Sequence, residues 1–79
     1  MARVLLFGRL ADQAGWRDRT IEANSLAALR DVLIGDDPAL GEALAGPGVQ
    51  VAVEKAIVRG EALLAAGAEV AFLPPMSGG

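Results

Sequence analysis

Apolar and polar positions divide the first third of the chain into two strand-like runs. Residues 2–8 form a short apolar run that contains valine and phenylalanine and ends in glycine, which favours a mostly buried strand. Residues 16–23 are more polar and predict a second strand with one solvent-facing side. The connection, residues 8–15, is expected to be a loop with one helical turn through residues 10–13. We expect the two strands to pair as an antiparallel hairpin.

The pattern then changes to a helical period. Leucines recur at helical spacing at Leu26, Leu29 and Leu33. Asn24 or Ser25 is a suitable N-cap for this helix, and Gly35 stands where a C′ glycine would end it. A second, shorter helix is expected over residues 38–45, with Asp37 as its N-cap and a proline at its first position.

Strand patterns return in the second half of the chain. After a turn at residues 46–48, valines alternate with other residues at Val49, Val51 and Val53. Residues 56–58 and 69–73 predict two further strands, and residues 54–55 predict a turn. The order strand, strand, helix, strand, short strand, strand predicts an α+β fold. We expect one main helix packed on one face of a mixed four- to five-stranded sheet.

Several conspicuous side chains have sufficient structural explanations. Leu63 and Leu64, in the loop before the last strand, are expected to tuck under the sheet. Trp16 is expected to anchor the core or the sheet edge rather than to form a ligand platform. Arg17 and Arg19 are expected to lie on a solvated strand face.

The composition excludes several classes of function. The 79 residues contain no cysteine and no histidine, which removes thiolate metal sites, thiol catalysis and Ser-His hydrolysis. We therefore expect neither a metal site nor a cofactor bound by this chain. The net charge of −3 argues against nucleic acid or an anionic membrane as a main partner. A membrane span needs about 20 apolar residues, and Arg9 interrupts the N-terminal apolar run, so we expect a cytoplasmic protein without a secretory signal.

The residues after the last strand are the most informative part of the sequence. They read Pro-Pro-Met-Ser-Gly-Gly, residues 74–79. The two prolines lack backbone donors and have a restricted φ, so they end the strand and make its exit stiff. Six extended residues reach about 20 Å, enough to enter a recessed site of a partner. We therefore divide the chain into a domain, residues 1–73, and an extended, reactive C-terminal tail, residues 74–79.

The chemistry of a terminal glycine suits delivery of an acyl group. A chain-terminal Gly79 carries an α-carboxylate that is ionised at pH 7. Because Gly78 and Gly79 lack a Cβ atom, a narrow channel can admit the tail and a nucleophile can approach the acyl carbon. A carboxylate must first be activated, usually as an acyl-adenylate. The glycines of the chain form no phosphate-binding pattern, so we expect an activating partner to bring Mg-ATP.

This C-terminus resembles that of a known family. Residues 72–79, Phe-Leu-Pro-Pro-Met-Ser-Gly-Gly, are similar to the end of the small subunit of molybdopterin synthase, a ubiquitin-like β-grasp sulfur carrier. The resemblance spans the whole chain in length and element order, and residues 4–8 match the family's first strand. Many ubiquitin-like proteins share Gly-Gly, whereas Pro-Pro-x-Ser-Gly-Gly is a narrower motif. The chain departs from the family's usual residues at Glu54, Ala66, Ala68 and Met76.

The resemblance implies that this chain is a non-catalytic sulfur donor. A ubiquitin-activating-type adenylyltransferase would adenylate Gly79, and a sulfurtransferase would supply the sulfur of a thiocarboxylate. The large subunit of molybdopterin synthase would then catalyse sulfur transfer to cyclic pyranopterin monophosphate, in molybdenum cofactor biosynthesis. Gly78 would give access to the reacting carbon. The residues expected to contact partners are Phe7, Phe72, Pro74, Pro75, Met76 and Ser77.

Three other interpretations stay open. A divergent carrier could serve another sulfur pathway, of the thiamine or cysteine type. The chain could instead be a ubiquitin-like protein modifier whose Gly79 is joined to lysines, since activation is the same and only the nucleophile differs. Lys55 is the single lysine and a candidate for self-modification. The last interpretation is an ordinary β-grasp interaction domain without a reactive end.

Overall fold

The computed structural model describes residues 1–75, in which strands and helices follow the predicted order. A helix, α1, occupies the connection in which the sequence predicts one helical turn. The elements are β1 (Ala2–Leu6), α1 (Arg9–Ala14), β2 (Asp18–Ile21), α2 (Leu26–Asp36), α3 (Pro38–Leu44), β3 (Gln50–Val53), β4 (Ala56–Val58) and β5 (Glu69–Leu73).

The five strands form one mixed sheet in the order β2-β1-β5-β3-β4. The central strand, β5, runs parallel to β1 and antiparallel to β3. The outer pairs are both antiparallel, and β1 with β2 makes the predicted hairpin. This arrangement confirms the predicted fold class, a ubiquitin-like β-grasp with a mixed sheet and one main helix on one face.

One face of the sheet carries the hydrophobic core. Alternate strand residues point to that face, where they meet the leucines of α2 and α3. The largest side chains that are less than 2% exposed are Phe72, Leu26, Leu29, Leu33, Leu40, Val4 and Val70. The helical spacing of the leucines and the alternation in the strands therefore describe the two sides of a single core.

The main helix begins as predicted but does not end as predicted. The Ser25 side-chain oxygen accepts a hydrogen bond from the Ala28 backbone N–H at 3.1 Å, which makes Ser25 the N-cap. The prediction that Gly35 ends the helix is wrong, because α2 continues to Asp36 and its C-cap is Asp37. Residue 37 is extended, the conformation favoured before a proline, so Pro38 and not the glycine ends the helix.

The shorter helix, α3, forms as the sequence predicts. The Asp37 carboxylate accepts a hydrogen bond from the Leu40 backbone N–H at 3.1 Å, and Pro38 occupies the first turn. Asp37 thus ends one helix and begins the next. In the described part of the chain, no helix has both the length and the apolar character that crossing a membrane requires.

The loop leucines differ from each other, and one prediction about them is wrong. Leu64 is 6% exposed and belongs to the core, whereas Leu63 is 86% exposed. Leu63 makes a β-bridge with Ser25, and the neighbouring Leu64 N–H donates to the Asn24 carbonyl at 2.9 Å. Because the segment is extended, successive side chains point to opposite sides, and only one leucine can face the core.

The second strand is shorter than predicted, and its flanks are held by side chains. Trp16 lies before β2, is half-buried and packs against the core, as the sequence predicts. The Arg19 guanidinium carbon lies 5.7 Å from the centre of the Trp16 ring. Arg19 also forms an ion pair with Asp36 at 2.5 Å. Arg17 is exposed, but Arg19 is half-buried and links β2 to the end of α2.

Candidate functional site

The C-terminal segment leaves the domain from the middle of the sheet. The last residues of β5 are paired on both sides, Phe72 with Leu6 of β1 and Leu73 with Gln50 of β3. The Phe7 backbone N–H also donates to the Phe72 carbonyl at 3.2 Å. A proline cannot continue this ladder because it has no backbone N–H. The chain therefore departs from a strand that both neighbours hold in place.

Two glycines from separate loops contact the two prolines. A Cβ atom at Gly8, which follows β1, would lie 2.9 Å from Pro74 Cγ. A Cβ atom at Gly48, which precedes β3, would lie 2.6 Å from Pro75 Cβ. Both prolines are half-buried. We call Gly8, Gly48, Pro74 and Pro75 the tail base.

The two phenylalanines predicted to contact partners have opposite environments. Phe7 is 45% exposed, as a surface contact requires. Phe72 is fully buried, so the prediction that its side chain contacts a partner is wrong. Its side chain faces the core with Val70, and the Arg30 guanidinium carbon lies 5.4 Å from its ring centre. The spacing of two residues between Val70 and Phe72 places both on the core-facing side of β5.

The other face of the sheet carries an apolar row that the sequence analysis did not identify. Residues that pair across neighbouring strands point to the same face of a sheet. One such set runs across four adjacent strands on the open face. The row consists of Leu5, Ala71, Ala52 and Ile57. Leu73 and the exposed Phe7 extend the row towards the tail base. We call these six residues the open-face patch.

Small side chains lie at the centre of the open-face patch. Ala71 and Ala52 are only 9% and 8% exposed although they lie outside the core cluster. Ile57, on the edge strand, is 49% exposed. The patch therefore has small side chains at its centre and a larger one, Ile57, at its edge. The sequence does contain a signal for this patch. A strand with one solvent-facing side alternates apolar and polar residues, whereas β3 and β5 carry apolar residues on both sides.

An ion pair flanks the same face at the end far from the tail base. The Arg3 guanidinium donates to both carboxylate oxygens of Asp18, the closer contact being 2.6 Å. These hydrogen bonds from Arg3 hold the pKa of the Asp18 carboxyl below its ordinary value, although the pair is exposed. Arg3 pairs with Glu69 in the sheet, two residues before Leu5. Asp18 itself pairs with Leu5 across β1 and β2, so charge borders the patch along β2 as well as at the end far from the tail base.

The remaining predicted site residues lie outside the described part of the chain. These are Met76, Ser77, Gly78 and Gly79, whose roles stay predictions. Within residues 1–75, no three carboxylates lie close enough together to hold a metal ion. What the described residues bring together is a rigid exit for the chain beside an exposed apolar surface.

Comparison with known proteins gives a family and a set of similar structures. The model of the ThiS family matches residues 4–79. The crystal structure of small archaeal modifier protein 1 from Haloferax volcanii is similar with a TM-score of 0.80 and 29% sequence identity, covering 99% of this chain and 98% of that chain. No curated protein sequence matches the chain.

Two more distant structures bear on the fold alone. The solution structure of small archaeal modifier protein 1 from Methanosarcina acetivorans has a TM-score of 0.86 at 22% identity, covering 99% of this chain and 95% of that chain. The crystal structure of CysO from Mycobacterium tuberculosis has a TM-score of 0.82 at 20% identity, covering 96% of this chain and all of that chain. Both agree with the β-grasp topology described above.

Proposed function

Because the chain belongs to the ThiS family, we propose that it is a sulfur carrier that delivers sulfur on Gly79 as its C-terminal residue. The observation that carries this proposal is the position of the Pro-Pro-Met-Ser-Gly-Gly segment, residues 74–79, directly after the central strand β5. A strand paired on both sides is a rigid platform, which suits a group that must reach another protein's site.

The proposed chemistry takes place on partners. A Gly79 carboxylate oxygen attacks the α-phosphorus of ATP, and pyrophosphate leaves. The outer sulfur of a persulfide on the sulfurtransferase then attacks the acyl carbon, and AMP leaves. A thiol reductant cleaves the S–S bond of the resulting acyl disulfide and is oxidised to a disulfide, and the thiocarboxylate remains on Gly79. The activating partner, an adenylyltransferase of the ubiquitin-activating type, binds the Mg-ATP. The carrier's own contribution is an unhindered carboxylate, since neither Gly78 nor Gly79 has a Cβ atom.

The open-face patch is the surface on which we place the activating partner. It is apolar, it is exposed at Ile57 and Phe7, and it continues to Leu73 beside the tail base. A partner that covers it is in contact with the residue from which the prolines follow. Burial of aromatic and aliphatic side chains is the usual energetic centre of a protein interface. Docking and delivery then use adjoining parts of one sheet.

The pathway we propose is molybdopterin synthesis, with this chain as the small subunit of molybdopterin synthase. The support is the Pro-Pro-x-Ser-Gly-Gly motif at residues 74–79. In that role the tail enters the large subunit, which transfers sulfur to cyclic pyranopterin monophosphate. Carriers of the thiamine or cysteine type would use the same activated glycine with a different acceptor enzyme.

The carrier proposal is tested by the intact mass of the purified chain. After incubation with the activating enzyme, Mg-ATP and a sulfurtransferase with its sulfur source, part of the protein should gain the mass of one sulfur in place of one oxygen. A variant that lacks Gly79 is the matched control and should gain nothing. Persistence of the carboxylate form alone in the complete reaction would refute the proposal.

The pathway is tested separately from the carrier chemistry. The thiocarboxylate form is offered in parallel to the acceptor enzymes of molybdopterin, thiamine and cysteine synthesis. We expect single-turnover loss of the thiocarboxylate with the large subunit of molybdopterin synthase. Consumption by one of the other two acceptors alone would assign the carrier to that pathway instead.

A second function, protein modification, is favoured by one specific observation. The Haloferax volcanii structure, at 29% identity, is that of a small archaeal modifier protein. In this role the activated Gly79 forms an amide with a lysine. Lys55 is exposed at the β3–β4 turn, the end of β3 opposite to Gln50, which pairs with Leu73.

The modifier function needs a diagnostic suited to this sequence. The last basic residue is Arg59, so trypsin leaves residues 60–79 on a modified lysine and not a Gly-Gly remnant. Ser77→Arg creates a cleavage site directly before Gly78 and restores that remnant. Cells that produce the Ser77→Arg chain are digested with trypsin, and Gly-Gly remnants on lysines of other proteins would establish modification. The control is a Ser77→Arg chain that also lacks Gly79, which should leave no such remnant. A complete lack of such remnants beside normal thiocarboxylate formation would exclude it.

A further inference from the structure

We propose that Gly8 and Gly48 are positioning residues that fix the path of Pro74 and Pro75 and so set the point from which residues 76–79 enter a partner's site. The contact itself is argued from the geometry of the tail base. Its effect on sulfur delivery rests on the proposed carrier function. The proposal assigns a role to two glycines that the chemistry at Gly79 does not involve.

The two glycines reach the prolines from both sides of the central strand. Gly8 follows β1 and Gly48 precedes β3, and these are the two strands that flank β5 in the sheet. Pro74 is contacted from the β1 side and Pro75 from the β3 side. The prolines have no backbone N–H to donate to the neighbouring strands. Close contacts with the two glycines hold them in line with β5 instead.

Both positions favour glycine. Gly8 has φ of +57° and Gly48 has φ of +83°, a region that other residues rarely adopt. A Cβ atom at Gly48 would lie 2.6 Å from Pro75 Cβ and 3.6 Å from Pro75 Cα, so it would collide with the rigid part of the residue. At Gly8 the closest atom is Pro74 Cγ, at 2.9 Å, on the far edge of the ring. Gly48 is therefore the stricter of the two contacts.

A substitution at Gly48 must move either its own loop or the proline that it touches. A proline ring cannot rotate away from a new methyl group, because its side chain closes on its own backbone. Either the loop at residues 46–48 or the Pro75 backbone must shift. Since residue 76 follows directly, a shift at Pro75 is passed to the start of the reactive segment. A misplacement of about 1 Å can reduce a reaction rate by about 100-fold.

The chain contains a matched control for backbone strain. Gly60 has φ of +83°, the same as Gly48, but a Cβ atom there would have no neighbour within 4 Å. Gly48→Ala and Gly60→Ala therefore carry similar conformational cost and differ in the contact with Pro75. Gly15, with φ of +84° and no neighbour within 4 Å, provides a second control.

The experiment compares thiocarboxylate formation by Gly48→Ala, Gly60→Ala and the unchanged chain with the activating enzyme, Mg-ATP and sulfur source. With Gly48→Ala as the substrate, we expect the kcat of the activating reaction to fall by about 10-fold to 100-fold. The KM for the chain should be nearly unchanged, because the open-face patch is intact. Gly60→Ala should keep both values. Gly8→Ala should show a smaller fall in kcat, since the edge of the Pro74 ring can yield. Equal kcat values for Gly48→Ala and Gly60→Ala would overturn the proposal.

A double substitution separates the contact from any other effect of Gly48. In a Pro75→Gly chain the colliding Cβ atom is gone, so adding Gly48→Ala should cost no more than adding Gly60→Ala. An undiminished effect of Gly48→Ala in that background would show that it acts elsewhere. If Gly48→Ala alone does not fold, Pro75→Gly should restore folding to it, and a double variant that stays unfolded would overturn the proposal.

An NMR measurement tests the geometry without reference to sulfur. In the free protein, Gly48→Ala should shift the backbone amide resonances of Leu73 and of residues 76 and 77, and Gly60→Ala should leave them in place. If the shifts occur but no chain forms a thiocarboxylate, the positioning contact stands and the carrier function fails. If thiocarboxylate forms normally and the resonances do not move, the positioning proposal fails alone.

Discussion

The two faces of the sheet use the same strands for different purposes. The helix-covered face presents large side chains such as Val4, Val70 and Phe72, all fully buried. The open face presents alanines at its centre and leaves Ile57 half exposed. The difference shows that one strand can supply stability through one set of side chains and a binding surface through the alternate set. Stability and recognition should then be separable by substitution.

The largest expected effect is on stability, when each of the two phenylalanines is replaced by alanine. Phe72→Ala removes a fully buried ring and should lower the free energy of unfolding by about 3–5 kcal/mol. Phe7→Ala, at a residue that is 45% exposed, should lower it by about 1 kcal/mol or less. The single tryptophan, Trp16, packs against the core and reports urea unfolding by fluorescence. Similar losses for the two variants would contradict the division between the faces.

The second effect concerns recognition by the activating enzyme. Ile57→Asp places a charge in the open-face patch and should weaken binding by about tenfold or more, because the exposed apolar side chain that a partner would bury is replaced by a charge that must be desolvated. The matched control is Leu63→Asp, at a leucine that is 86% exposed and outside the patch. Calorimetric titration with the enzyme measures both affinities. If Leu63→Asp weakens binding as much as Ile57→Asp does, the patch is not the docking surface.

A smaller effect is expected at the helix caps, which belong to the covered face. Ser25→Ala and Asp37→Ala each remove a side-chain hydrogen bond to a first-turn N–H. Each should lower the free energy of unfolding by about 1 kcal/mol. Asp31→Ala, at an exposed position within α2, is the control and should change it by about 0.5 kcal/mol or less. Thermal unfolding followed by circular dichroism suits all three variants.

The smallest effects should appear in the dependence of stability on pH. Hydrogen bonds from Arg3 lower the pKa of Asp18, and backbone N–H groups of Ala62 and Ala27 lower the pKa of Glu61. A folded-state pKa below the unfolded one means that the stabilisation is complete above the unfolded pKa. It is lost as the pH falls through the lower, folded value.

Asp18→Asn and Glu61→Gln should therefore lower the melting temperature at pH 7, by less than either cap variant does. The deficit should disappear in acid, below the folded pKa of each group. Added salt at pH 7 should shrink the deficit of Asp18→Asn, because its partner is an exposed guanidinium. It should change that of Glu61→Gln less, since Glu61 accepts from backbone N–H groups. A deficit that is constant from pH 7 to pH 2 would contradict both assignments.

Local patterns in the sequence were sufficient for most elements of the fold. The leucine period predicts α2, the Asp-Pro pair predicts the start of α3, and alternating valines predict β3. The proline pair likewise marks the end of β5. These features depend on backbone donors, side-chain caps and residue spacing within a few positions, so the neighbouring residues are enough to establish them.

Contacts between distant segments required the tertiary structure. The sequence contains Gly8, Gly48 and the two prolines, but only the strand order β1-β5-β3 brings two separate loops against residues 74 and 75. The same pairing aligns Leu5, Ala71, Ala52 and Ile57 in one row, although they come from four strands. The spacing of residues along the chain determines which helix or strand each segment forms and which side of it is apolar. Which elements become neighbours is decided by the packing of the whole core, and the tail base and the open-face patch exist only at that level.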